Sequence, residues 1–93
     1  MFNITDAAGQ RCADKLVRAN ATEDQCMRLF MEKGKPSMRL SAPKVGEAVF
    51  KHKKRNVLVV SQEVAEELDG RALDWRKTPE GPRFRFIREP SDD

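Results

Sequence analysis

Ninety-three residues, 35% of them charged and 39% hydrophobic, describe one soluble domain with a small core. No apolar run approaches the ~20 residues that cross a bilayer, and Met1 to Asp6 has neither a basic segment nor an apolar stretch of the secretory kind, so a cytoplasmic location is the expectation. The net charge of +3 is mild and both signs are interspersed, which argues against a dedicated nucleic-acid binder with its basic residues gathered on one face.

Thr5 reads as a helix N-cap with Asp6 in the first turn. Ala8, Cys12, Leu16 and Ala19 then recur at helical spacing, widened by Ala13 and Val17, so residues 6–19 are predicted to form an amphipathic helix that Gly9 weakens. Residues 20–24 are a polar connection. From Gln25 to Lys33 the period is two, with Met27, Leu29 and Met31 on one face and Cys26, Arg28, Phe30 and Glu32 on the other. Gly34-Lys35-Pro36-Ser37 reads as a turn, and Met38 and Leu40 alternate with Arg39 and Ser41 in a second strand. After Pro43 a weaker strand is expected over Val45 to Phe50, anchored by Val45, Val49 or Phe50, with Gly46 marking a bulge.

Lys51-His52-Lys53-Lys54-Arg55 is the one dense basic run and reads as a solvated loop or hairpin tip. Val57-Leu58-Val59-Val60 follows as a strand buried on both faces. Ser61 caps a second helix, Glu63 lies in its first turn, and Gly70 supplies the left-handed stop, with Val64, Ala65 and Leu68 facing inward. Leu73 and Trp75 alternate with Asp74 and Arg76. Residues 78–82 are a turn, and in the final strand Phe84 and Phe86 point one way and Arg83, Arg85 and Ile87 the other. The expected fold is α+β: a small mixed β sandwich or partly open barrel, with an N-terminal helix and one helix inserted before the last hairpin. Residues 1–90 would form the domain and 91–93 a disordered tail.

The order of these pieces resembles the HesB-like family, the A-type iron–sulfur cluster carriers related to IscA. The resemblance runs from Ile4-Thr5-Asp6-Ala7-Ala8, through Met27-Arg28-Leu29, to Ser61, Leu68, Asp69, Gly70, Leu73, Asp74 and Trp75, and closes on Phe84 and Phe86. It implies the carrier fold, a link to iron–sulfur assembly partners and self-association as a homodimer. Working members of the family place one cysteine in a turn after the first core strand and a Cys-x-Cys pair near the C-terminus. Three soft thiolates suit iron, and an exposed turn lets the cluster move on. Here the corresponding turn, Gly34 to Ser37, has no thiol, and the chain given ends Pro90-Ser91-Asp92-Asp93. Cys12 and Cys26 match neither position, so no ligand role carries over.

No catalytic set is legible, no cofactor is expected, and a non-enzymatic protein is the reading. His52 lies among cations, which disfavours a general-base role, and no glycine loop has phosphate-cradling spacing. Cys12 and Cys26 read as small buried hydrophobes, Met27, Met31 and Met38 as a soft core cluster, and Trp75 as core. Glu89, Asp92 and Asp93 read as a solvated acidic tail. The candidate partner-binding residues are Lys33, Lys35 and Arg39, a basic turn standing near where the family keeps a thiol. Two alternatives stand beside this interaction module: an iron carrier using Cys12 and Cys26 at a dimer interface, and a weak nucleic-acid binder through Lys51 to Arg55 with the terminal-strand arginines.

Overall fold

The structure, a computed structural model, describes residues 1–88. In chain order the elements are β1 (Asn3–Ile4), α1 (Asp6–Arg18), β2 (Cys26–Glu32), β3 (Lys35–Ser41), β4 (Ala48–His52), β5 (Arg55–Val60), α2 (Gln62–Glu67), β6 (Arg71–Thr78) and β7 (Gly81–Arg88). Thr5 starts α1 as expected, its hydroxyl accepting from the Ala8 amide at 3.2 Å. The same hydroxyl donates to Asp74 Oδ1 at 2.6 Å, and the Thr5 amide donates to the Leu73 carbonyl at 2.9 Å. One residue thus joins the start of α1 to β6. Ser61 caps α2 in the same manner through the Val64 amide, and Gly70 takes φ +80 after it.

Two mixed sheets result. One has the order β1-β6-β7, with β1 parallel to β6; the other has β3-β2-β5-β4, with β2 and β5 parallel at its centre. No ladder among the described residues joins the sheets, so the expected small α+β fold is realised with two mixed sheets and no closed barrel. Phe2 bridges them, meeting Phe50 at 5.5 Å and Phe86 at 6.3 Å edge-on. Around it lie Ala8, Cys12 and Leu16 of α1, Met27, Leu29, Leu58 and Val60 of the larger sheet, and Leu68 and Leu73. Met31 and Met38 pack against this core, and all of Val57 to Val60 is buried, both as the sequence predicts.

Several boundaries differ from the sequence reading. Val17 is 67% exposed and Ala19 is an exposed C-cap. At 100° per residue Val17 stands half a turn from Ala8, beyond the stripe it was expected to widen. The turn after β2 is only Lys33-Gly34, and Pro36 lies inside β3. An edge strand tolerates a missing amide there. Likewise β6 and β7 extend to Thr78 and from Gly81, so Pro82 sits in the edge strand β7. Val45 is fully exposed and anchors nothing. Gly46 (φ +87) precedes β4, while the register slip lies between Phe50 and Lys51.

The reason for Val45 is topological. β3 and β4 occupy opposite edges of their sheet, so residues 42–47 must cross β2 and β5 on the face away from α1. Arg28 holds that crossing. Its guanidinium donates to both carboxylate oxygens of Glu47, one at 2.8 Å, to the Ala42 carbonyl at 3.1 Å and to Ser41 Oγ at 3.1 Å. Arg28, placed by alternation on the face opposite Met27 and Leu29, is therefore buried with its charge neutralised and its donors engaged.

Candidate functional site

The β2–β3 hairpin places two of the three candidate residues together. Lys33 (φ +52) and Gly34 (φ +78) are both left-handed, which makes a two-residue turn whose twist matches the strands. Lys33 is thereby displayed at the tip and Lys35 opens β3, opposite Glu32. Both are exposed. Arg39 is not brought to them. It lies four residues along β3, about 13 Å at strand rise, opposite Arg28. Its guanidinium rests 5.5 Å from the Phe30 ring centroid, a cation–π contact on the same face. The basic tip is therefore Lys33 and Lys35, with Arg39 on the flank of the strand.

The β4–β5 hairpin carries the dense basic run. Lys51 and His52 close β4, Lys53 and Lys54 form the turn, and Arg55 opens β5. This is a hairpin tip, as expected. Since β5 runs parallel to β2, the two basic turns lie at opposite ends of the sheet and form no common patch. Arg83 and Arg85 lie on the outer face of the other sheet, opposite Arg76 and Asp74. Nucleic acid would thus meet separated cations and no continuous stripe. His52 instead reaches α1, where its Nε2 lies 3.1 Å from Gln10 Oε1.

The thiols are both buried. Cys12 faces the core from α1. Cys26 precedes Met27 on β2 and points to the opposite face, level with Ser41. Burial pushes the Cys12 thiol up to about 12, outweighing Lys15 and Arg11. Burial also raises Cys26 above the usual thiol range, against Arg55 and Arg28. Neither is an accessible thiolate, and among the described residues no three His, Cys, Asp or Glu side chains converge. Among the described residues the two buried thiols do not converge with other donors into a ligand set for an iron–sulfur cluster. The acidic tail at Glu89, Asp92 and Asp93 lies outside the described residues.

Sequence reasoning missed two charged sites. One is Arg28–Glu47. That guanidinium, as the main influence, holds the Glu47 carboxyl down at about 2, helped by the Lys44 amide and opposed by desolvation. The other is Asp74. Burial acts most strongly on it and upward, yet the hydrogen bonds from Thr5, Arg76 and the Trp75 amide together bring it below its ordinary value. Partners 19 and 69 residues apart leave no local pattern to find. Trp75, read from the sequence as core, is instead half-buried outside the core cluster, packed edge-on against Phe84 at 4.7 Å with Arg11 covering its ring at 4.7 Å.

Comparison with known proteins bears on the fold. No family model and no curated protein matches the chain. Solved structures do. IscA with the [2Fe–2S] cluster is 24% identical over 95% of this chain and 85% of that one, with a TM-score of 0.58. SufA from Escherichia coli, involved in biosynthesis of iron–sulfur clusters, is 19% identical over 94% and 84%, with a TM-score of 0.66. A protein from Aquifex aeolicus is 19% identical over 96% and 91%, with a TM-score of 0.61. The chain has the fold of the HesB-like, A-type carriers, as its sequence resemblance implies. No helix of the described residues is long and apolar enough to cross a membrane.

Proposed function

We propose that this chain is a non-enzymatic relative of the iron–sulfur cluster carriers that has kept their scaffold without a ligand set and acts as an interaction or regulatory module near that process. The observation that supports it is the placement of the thiols: Cys12 and Cys26 are buried on opposite sides of β2, and the turn after the first core strand displays lysines. A positive, exposed hairpin tip suits an acidic surface on a protein partner. A homodimer accords with the family resemblance.

Anaerobic reconstitution with iron and sulfide tests the first half. The expected result is a protein without visible absorbance and without stoichiometric iron. A coloured protein whose absorbance is abolished by Cys26→Ser would overturn the reading in favour of a carrier using the remaining thiols. Titration against purified cysteine desulfurase and cluster scaffold tests the second half. Binding to one of them should weaken in the Lys33→Ala, Lys35→Ala double variant, and Arg39→Ala should matter less. Sedimentation of the purified chain decides the dimer.

A further inference from the structure

The basic run from Lys51 to Arg55 is absorbed neither by the carrier fold nor by the tip at Lys33. Because β5 runs parallel to β2, the β4–β5 turn lies where β2 begins, beside the connection leaving α1. The two segments border a polar cavity of about 480 Å³, open to solvent on one side and lined by Ala21, Glu23, Lys51, Lys54, Arg55 and Asn56. Three cations face one carboxylate there. Among the described residues none of the three is in an ion pair, whereas Arg28, Arg76 and Arg83 all are. Asn56 Oδ1 is buried and has no hydrogen-bond partner. A half-turn of that amide exchanges its acceptor for a donor, so it can serve whatever enters.

The turn itself is an unfavoured place for lysine. Lys53 (φ +49) and Lys54 (φ +69) are both left-handed, where Asn-Gly would fold more readily. Mutual repulsion among Lys51, Lys54 and Arg55 adds to the cost. A compact oxyanion would relieve it, with Arg55 offering a planar fork and the lysines point charges.

We propose that this cavity is a binding site for a phosphate group, carried by a small molecule or free as inorganic phosphate. A nucleic-acid strand is the less suitable occupant. It needs cations continuing along a track and aromatic faces for its bases, and the terminal-strand arginines Arg83 and Arg85 lie on the other sheet.

The test is amide chemical-shift mapping of the full chain with sodium phosphate against sodium chloride at constant ionic strength. Saturable shifts are expected at residues 21–23 and 51–56 with phosphate only, and a nucleoside monophosphate should reproduce them if the group is recognised on a carrier. Arg55→Gln and Lys54→Gly should each weaken binding about tenfold, the loss of one charge-assisted hydrogen bond. Lys54→Gly is the decisive variant, because glycine adopts the turn without strain and the fold is kept. Lys77→Gln, at an exposed position of the other sheet, should leave binding unchanged. Shifts spread equally over Lys33, Arg83 and Arg85, an equal response to chloride, or undiminished binding in Lys54→Gly would each overturn the proposal. So would an oligonucleotide that binds well in the absence of any phosphate-specific response.

Discussion

Gly9→Ala is expected to destabilise the protein, although the same change in an open helix stabilises it. A glycine inside a helix ordinarily costs about 1 kcal/mol relative to alanine. Here a Cβ on residue 9 would stand 2.9 Å from His52 Nδ1 and 3.1 Å from both its Cβ and Cγ. Swinging the ring away can clear Nδ1 and Cγ. It cannot clear Cβ, which the backbone of β4 fixes, and it would break the contact to Gln10. Overpacking of this kind costs roughly 1–3 kcal/mol, which exceeds the helical gain, so a net loss of about 1 kcal/mol is expected. Urea unfolding at neutral pH measures it as a lower midpoint at unchanged slope. In a His52→Ala background one of the three close contacts remains, and Gly9→Ala should become neutral or stabilising, a coupling of about 1–2 kcal/mol. If Gly9→Ala stabilises the otherwise unaltered chain by about 1 kcal/mol, as propensity alone predicts, then β4 does not approach α1 as described.

Lys53→Asn with Lys54→Gly should raise stability by about 1–2 kcal/mol, because two left-handed positions pass to residues that favour them; a lower urea midpoint would contradict the turn. Acid sensitivity should follow Asp74 and Glu47, whose folded values lie below the unfolded ones. Their contribution is complete above the ordinary carboxylate range, about pH 4, and is lost as pH falls through the depressed folded values. Asp74→Asn should therefore be less stable at neutral pH and show a shallower acid limb in thermal melts. Native Cys12 and Cys26 should react slowly with a disulfide reagent and quickly once denaturant is added; immediate native labelling of both would show that the thiols are accessible.

Much of the candidate site was legible. The glycine and lysines after an alternating strand announce a tip at Lys33 and Lys35, and the run before Val57 announces another. The membership of Arg39 was not legible, because spacing along a strand becomes distance only when the strand boundary is known. Pro36 hid that boundary by suggesting a turn where an edge strand begins.

What the chain determines by itself is local. Thr5 and Ser61 fix the starts of two helices, Gly70 fixes a stop, and the β-branched run at 57–60 fixes a central strand, since each acts through its own backbone or nearest neighbours. The tertiary structure decided what depends on partners distant in sequence. It turned Gly9 from a weak point into the space that His52 needs, Arg28 from one member of an alternating run into the clamp on the crossing at 42–47, and two cysteines into groups separated by a sheet. Burial and electrostatic pairing are properties of assembled surfaces, and no period within a single segment encodes which surface will arrive opposite.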